Sequence, residues 1–273
     1  MKNHENVETV NASRHAKLRV KPNPNMEHAK DLHLAAAMLN ELSPCSSNFP
    51  LVFIQNQENQ RMRLVAMMGI RVGENVFYDA EGWAGTYIPL VIQQHPFVLG
   101  FDDRIQENEK VLASCLDRSS SYISEDDGIA LFTETGEETD FLKSRNQMLS
   151  TIFEGEKLTE QFTRKMVELD LLVPLEVVLQ QPNGDMRRVT GLQTVSERKL
   201  RDLAPAQLEE LHKLDYLPAC YLILGSLFQL HRIVRLRNQK GDDPIVAIRV
   251  ELEPQDAAPQ QMAAQQEGQA QAN

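Results

Sequence analysis

His95 is the side chain of this sequence with the clearest capacity for chemistry, because it stands between an aromatic, glycine-rich stretch and Pro96. An imidazole exchanges protons near neutral pH, so His95 is a candidate general acid or base. A carboxylate such as Asp79 could orient the ring in that role. The competing interpretation is a structural histidine whose hydrogen bonds are satisfied inside the fold, and it is favoured because the sequence shows no partner for His95.

A second candidate site, for a ligand or a protein partner, consists of Trp83, Tyr87, His95 and Phe97. Trp83 lies in a loop beside Gly82 and Gly85, where its ring could form the wall of a pocket. Large aromatic residues more often complete a hydrophobic core, so packing is the alternative role for these rings.

Common signatures of enzyme chemistry are missing from the chain. It has no G-x-G-x-x-G, G-x-x-x-x-G-K-[ST], H-E-x-x-H or G-x-S-x-G sequence. The run SEDDGIALFTE resembles a calcium loop, but Ile123 would occupy its first ligand position, so we interpret it as a solvated turn. His28 and His33 are five residues apart, a spacing that points them apart on a helix. The sequence therefore predicts no cofactor and no metal site.

Cysteine usage and apolar runs indicate the compartment. Cys45, Cys115 and Cys220 are far apart and form no Cys-x-x-Cys pair, which predicts buried free thiols. The first residues contain no apolar run typical of a secretory signal, so we expect a cytoplasmic protein. The longest apolar stretch, 218–230, has 13 residues, whereas a membrane-spanning helix needs about 20. It predicts a buried helix rather than a membrane span.

The formal net charge of −11 disfavours binding to nucleic acid, which depends on basic side chains that displace counterions. Acidic residues dominate two stretches, 101–140 and 241–273, whereas 231–240 carries four cations and no carboxylate. An acidic partner or one of the chain's own acidic segments could dock at this basic end of the last helix, and we expect the internal pairing. High salt should loosen such contacts only modestly if they are buried.

Hydrophobic spacing predicts an α+β fold, with short mixed or antiparallel strands and an α-rich C-terminal part. The Asn183-Gly184 pair predicts a β-hairpin with a type I′ turn. A second predicted hairpin pairs 50–55 with 62–70 across a polar connection. Further predicted elements are an N-terminal helix over 26–43, a strand over 75–79, a short helix ended by Pro96, strands over 96–101 and 111–117, two helices over 139–153 and 158–169 broken at Gly155, and an apolar helix over about 218–238.

Composition along the chain predicts its organisation. Residues 1–25 form a flexible N-terminal segment, and 26–250 form one globular domain that could subdivide near 137–140. Residues 251–273 form a disordered tail rich in Gln and Ala.

A co-linear set of motifs resembles the SapC family of bacterial proteins, whose name comes from a gene linked to a surface-layer locus. The motifs span about residues 15–237: HAKLRVKP (15–22), FPLVF (49–53), MMGIRVGENVFYD (67–79), Trp83 with YIP (87–89), HPFVLG (95–100), LFTETGE (131–137), FTRKMVELDLLVP (162–174), TGLQTVSERKLRDL (190–203) and SLFQLHRIVRLR (226–237). Glu41, ahead of FPLVF, is a further match.

The resemblance implies a typical set of neighbouring genes rather than a particular reaction. Similar proteins are often encoded beside flavin-dependent halogenase-like proteins, which implies an accessory role with such a protein as partner. Our leading expectation is a soluble, non-catalytic protein that binds a protein or a small ligand through Trp83, Tyr87, His95 and Phe97. One alternative is an enzyme acting on a small metabolite or peptide with His95 as acid or base. The other, which depends on the family name, is a surface-layer component.

Overall fold

The computed structural model of the chain describes residues 6–23, 26–101, 112–241 and 243–252. Its strands are β1 (Val7–Thr9), β2 (Arg19–Val20), β3 (Leu34–Ala36), β4 (Leu51–Gln55), β5 (Met62–Met67), β6 (Tyr78–Asp79), β7 (Gly82–Trp83), β8 (Phe97–Phe101), β9 (Leu112–Asp117), β10 (Ile123–Ser124), β11 (Ile129–Ala130), β12 (Leu172–Gln180), β13 (Met186–Val195) and β14 (Ala247–Leu252). Its α-helices are α1 (Ala12–His15), α2 (Leu42–Ser46), α3 (Leu90–Gln93), α4 (Asp140–Glu168), α5 (Glu197–Arg201), α6 (Pro205–Lys213), α7 (Tyr216–Ser226) and α8 (Gln229–Lys240). The predicted α+β class is confirmed.

The main sheet has six antiparallel strands in the order β14-β12-β13-β4-β5-β3. Helix α4 contacts β5, and α7 contacts β4 and β13, so both helices share a core with the sheet. Side chains of that core, such as Phe53, Phe162 and Ile223, are fully buried. Burial of this apolar surface is the main stabilising contribution to such a fold.

Both predicted hairpins are confirmed. β4 pairs with β5, and β12 pairs with β13 around the Asn183-Gly184 turn. The predicted type I′ geometry is wrong, because Gly184 has a φ of +88° while Asn183 does not have a positive φ. The Gly184 N–H donates to the Gln181 carbonyl at 3.0 Å, and Pro182 and Asn183 form the corner. This is the pattern of a three-residue hairpin loop with glycine in the left-handed region.

The predicted helix over 26–43 is wrong. The segment contains a short 3-10 turn (Glu27–Ala29), strand β3 and a second 3-10 turn (Leu39–Glu41) before α2 begins. Within β3, Ala35 pairs with Ala66 of β5. The spacing of Leu and Ala in this stretch resembles a helix, but pairing with an available sheet edge overrides that local preference.

The predicted break at Gly155 is also wrong, because α4 runs without interruption through this residue. A Cβ at Gly155 would lie 2.5 Å from Oδ1 of Asn40. The Asn40 amide donates to the Thr151 carbonyl of α4 at 3.0 Å. Gly155 thus permits a close approach between α4 and the 3-10 turn Leu39–Glu41 instead of ending the helix.

This contact leads to a stability prediction that compares two helical glycines. A Cβ added at Gly225 in α7 would have no neighbouring atom within 4 Å. Gly225→Ala should therefore stabilise the fold by about 0.5–1 kcal/mol, because alanine has the higher helix propensity. Gly155→Ala should instead destabilise it by about 1 kcal/mol, because the Asn40 amide must move away from Thr151. Thermal unfolding of both variants tests this, and an equal gain in both would contradict it.

A second apolar cluster lies beside two smaller sheets, β1-β9-β8 and β10-β2-β11. It is built around Leu18, Phe97, Leu116 and the first turns of α4. β1 and β2 belong to the segment 1–25, and their pairing with β9, β10 and β11 differs from the flexible segment predicted there. Residues 253–273 of the predicted tail lie outside the described residues, and the single domain over 26–250 stays a prediction.

The predicted apolar C-terminal helix is two helices, because α7 ends at Ser226 and α8 begins at Gln229. Taken together, Tyr216–Lys240 is long and apolar enough by length and composition to cross a membrane. A core helix passes the same test, and Cys220, Ile223 and Ile233 lie fully buried in the main core. The predicted burial holds for one side of this segment, whereas Tyr221 and Phe228 are exposed, and the absence of a membrane span stays a prediction.

The basic end of α8 pairs internally, but Asp243 is its only partner from an acidic stretch among the described residues, whereas Glu74 and Asp79 lie outside both stretches. Nε of Arg237 donates to Oε1 of Glu74 at 2.9 Å, and Nζ of Lys240 lies 3.5 Å from Oδ2 of Asp79. Arg237 also contacts Asp243, which belongs to the acidic stretch 241–273. These contacts join α8 to β6, to the loop before it and to the chain that leads into β14.

Candidate functional site

His95 lines a cavity of ≈ 300 Å³ at the junction of three segments that are distant in sequence. The first is the 3-10 turn Glu27–Ala29 with the residues that follow it. The second is the end of α3, and the third is the loop between β9 and β10. The described lining residues are Glu27, His28, Lys30, Asp31, His95, Asp117, Ser119, Ser120, Ser121 and Tyr122. Nearly all of these side chains are polar, so the cavity suits a ligand that forms hydrogen bonds or carries charge.

A direct polar contact in the cavity joins His95 and Ser120, whose Nε2 and Oγ atoms are 2.8 Å apart. The Ser120 hydroxyl oxygen also accepts a hydrogen bond from the Tyr122 N–H at 3.3 Å. A serine hydroxyl has one proton and two acceptor positions, so Ser120 donates to His95 Nε2 in one neutral tautomer of the ring and accepts from it in the other.

His28 holds the His95 ring in place. The two imidazoles stack with centroids 4.2 Å apart, and the Tyr122 ring stands edge-on to both. Nε2 of His28 is 3.0 Å from the Ile92 carbonyl, and Nδ1 is 2.9 Å from the Asn23 amide nitrogen. A carbonyl can only accept and an amide nitrogen can only donate, so these contacts fit the neutral tautomer with the proton on Nε2.

Carboxylates outnumber cations around the opening. Glu27, Asp31 and Asp117 line it together with one lysine, Lys30, whose Nζ is 3.9 Å from the Glu27 carboxylate. Burial, together with the nearby negative charge of Glu27, raises the pKa of Tyr122, so its hydroxyl stays protonated at neutral pH. The lining therefore presents negative charge, aromatic faces and hydroxyl groups.

The predicted ligand-binding residues do not converge on one cavity. Trp83 and Tyr87 pack half-buried against the main core, and the Trp83 indole N–H donates to the Tyr87 carbonyl at 2.9 Å. Phe97 is buried in the second cluster against Phe141. Of the four, His95 alone is among the described residues that line the cavity.

Asp79, the predicted orienting carboxylate, lies on β6 and faces a different group. It is ion-paired with Lys240 and accepts a hydrogen bond from the Glu81 N–H at 3.1 Å. These contacts lower the pKa of Asp79, with the Glu81 hydrogen bond as the first cause. Asp79 is not among the described residues that line the His95 cavity.

A buried carboxylate, Glu41, organises the segment that leads to α3. Its Oε2 accepts hydrogen bonds from the Tyr87 hydroxyl at 2.7 Å and the Leu90 N–H at 2.9 Å, and its Oε1 accepts from the Met38 N–H at 3.3 Å. Only 2% of Glu41 is exposed, and burial raises its pKa. Cys45 is also buried, and burial together with Glu41 raises its pKa. These contacts fix the start of α3, and α3 carries the chain to His95.

Three residues of the cavity were not identified from sequence. The sequence places His28 on a predicted helix that does not form, and Ser120 and Tyr122 follow a strand at a position with no recognisable motif. Their contacts with His95 come from chain segments that tertiary structure alone brings together. The serine run 119–121 was the one local signal, and serine runs are common in ordinary turns.

Fold and site together define an α+β protein with a small, acidic and aromatic cavity between loops at one end of its smaller sheets. The SapC family model matches residues 10–233, so the chain belongs to the SapC family. Neither the curated proteins nor the solved structures contain a match to the chain.

A metal centre finds no support within the described ranges, where no three His, Cys, Asp or Glu side chains group closely enough to hold an ion. The predicted free thiols are confirmed, since Cys45, Cys115 and Cys220 are buried and unbridged.

Proposed function

We propose that this SapC-family protein binds a small organic cation in the cavity formed by His28, His95 and Tyr122. The observation that supports the proposal is the composition of the lining, which combines three carboxylates and one lysine with three rings. Aromatic faces attract cations, and surrounding carboxylates add a longer-range attraction.

The size of the cavity limits the ligand. Pockets for small molecules usually have volumes of roughly 300–1,000 Å³, and this cavity of ≈ 300 Å³ is at the lower end. A ligand of a few heavy atoms, such as a quaternary ammonium group with a short substituent, matches that volume. Larger ligands would extend past the opening into solvent.

Binding of benzyltrimethylammonium, compared with benzoate and benzyl alcohol as anionic and neutral analogues, tests the proposal. We expect the cation to bind most tightly, and Tyr122→Ala to weaken its affinity about tenfold, which corresponds to about 1.4 kcal/mol of cation–π and packing interaction. Titration calorimetry of the full chain measures both effects.

Tyr221→Ala is the matched control, because Tyr221 is an exposed tyrosine on α7 that does not line the cavity. It should leave the affinity unchanged. Equal or tighter binding of benzoate would contradict the proposed ligand class, and an equal loss in the two tyrosine variants would contradict the proposed site.

The accessory role and the flavin-dependent halogenase-like partner belong to the same proposal, with the cytoplasm as the compartment. A surface that could support a protein partner lies on α7 and the turn after it, where Tyr221 is 52% exposed and Phe228 is 79% exposed. Exposed aromatic side chains of this kind are typical of interaction sites. A pull-down with the full chain tests the partner, and cell fractionation tests the compartment.

A further inference from the structure

We propose that Ser120 is a nucleophile and His95 its general base, and that the cavity hydrolyses small esters with a cationic alcohol group. This inference rests on the proposed function for its substrate class, because the same acidic and aromatic lining would hold the cationic end of the ester. It assigns the cavity a reaction in addition to binding.

The first argument is the hydrogen bond between nucleophile and base. Ser120 Oγ and His95 Nε2 are 2.8 Å apart, within the reach that proton transfer between a serine and a histidine requires. The Tyr122 N–H occupies one acceptor position of Ser120 Oγ, and the hydroxyl proton can be donated to His95 Nε2 in the tautomer that carries the ring proton on Nδ1. In that tautomer, Nε2 can remove the serine proton as Oγ attacks a carbonyl carbon.

The second argument is that the base is held in position. The His95 ring stacks on His28 at 4.2 Å and meets the edge of Tyr122 at 5.6 Å between centroids. The His28 ring is fixed in turn by its bonds to Asn23 and the Ile92 carbonyl. A ring held on its face by His28 and on its edge by Tyr122 keeps Nε2 directed at Ser120.

The third argument is a backbone donor next to the nucleophile. The N–H of Ser121 donates to no group among the described residues, whereas the N–H groups of Ser119, Ser120, Tyr122 and Ile123 are all engaged within the loop. The N–H of the residue after the nucleophile is a common donor to the developing oxyanion of acyl transfer.

The reaction proceeds in two balanced steps. Ser120 Oγ forms a bond to the ester carbonyl carbon, its proton passes to His95 Nε2 and then to the departing alcohol, and the bond between the carbonyl carbon and the alcohol oxygen breaks. Water then attacks the acyl-serine, gives a proton through His95 to Ser120 Oγ, and releases a carboxylic acid.

Labelling of the full chain with a fluorophosphonate, followed by mass mapping of the adduct, tests the nucleophile. We expect one adduct on Ser120, no adduct in Ser120→Ala, and a labelling rate about 100-fold lower in His95→Gln. Ser150→Ala is the matched control, because Ser150 is an exposed serine on α4 that does not line the cavity, and this variant should label at the rate of the unmodified protein. Thermal unfolding of each variant separates loss of reactivity from loss of the fold.

Hydrolysis of acetylthiocholine, compared with its neutral analogue S-butyl thioacetate, tests the substrate class. An adduct distributed equally over Ser119, Ser120 and Ser121, or an unchanged labelling rate in folded His95→Gln, would overturn the inference. If Ser120→Ala still binds benzyltrimethylammonium while the unmodified protein does not label, this inference fails and the binding function stands. If Ser120 labels but the cation does not bind, the nucleophile stands and the proposed ligand class fails.

Discussion

Glu41→Ala should lower the stability of the protein by about 3 kcal/mol, because the substitution leaves buried donors without an acceptor. The donors are the N–H groups of Met38 and Leu90 and the hydroxyl of Tyr87, which all meet the Glu41 carboxylate. For a folded region of this size the loss corresponds to a fall in melting temperature of about 6–12 °C. Tyr87→Phe, which removes one of the three donors and keeps the ring, should cost less than half as much. Equal losses in the two variants would contradict the central role of the carboxylate.

The protonation of Glu41 adds a pH dependence with a defined sign. Burial raises the pKa of the folded carboxyl above its ordinary value of 4.5, so the folded state binds the proton more tightly than the unfolded state. The contribution of Glu41 to stability is therefore fully present below pH 4.5 and is lost as the pH rises through the folded pKa. The difference in unfolding free energy between the unmodified protein and Glu41→Gln should decrease over that interval, and a difference that grows with pH would refute the assignment.

Arg237→Ala should also lower the stability of the protein by about 3 kcal/mol. The substitution leaves the carboxylates of Glu74 and Asp243 without the cation that they share. Arg237 is only 5% exposed and contacts Glu74 of one segment and Asp243 of another. Arg237→Lys should recover part of the loss, since one ammonium cannot reproduce two sets of contacts made by a planar guanidinium. Denaturant unfolding measures both changes.

Arg201→Ala is the matched control for this pair. Arg201 forms an ion pair with Glu197 one helical turn away, but its side chain is 69% exposed. Such pairs contribute about 0.3–0.5 kcal/mol and are screened by salt. The loss in Arg237→Ala should stay nearly constant between low and high salt. A loss that disappears in high salt would show that the Arg237 contacts behave as surface pairs.

Local sequence signals explain why part of the fold could be predicted. The hairpin of β12 and β13 carries its turn residues between two apolar strands, and the pairing of β4 with β5 follows from a short polar connection. The stretch 26–43 lacked such a signal. Its alanines and leucines fit a helix by spacing, yet the edge of β5 takes Leu34–Ala36 as a strand. An interaction with a distant segment decided the outcome there.

The candidate site shows the same division between local and distant information. His95 could be selected from sequence because it is a proton-exchanging side chain beside Pro96. Its partners could not, since His28 and Ser120 come from segments that the β1-β9-β8 sheet and the end of α3 bring together. The rings of Trp83, Tyr87 and Phe97 share its neighbourhood in sequence but pack into cores.

Strand β14 has a consequence for where this protein can be shortened. The family match ends at residue 233, inside α8, whereas β14 lies beyond it and covers the edge of β12 over six paired residues. A chain cut at the family boundary would lose Arg237 and Asp243 and would expose the backbone N–H and C=O groups along one side of β12. Open strand edges of this kind recruit other chains, so we expect the shortened protein to self-associate. Strand β14, which protects the edge of the main sheet from pairing with other chains, therefore lies outside residues 10–233, the part of this protein that matches the family.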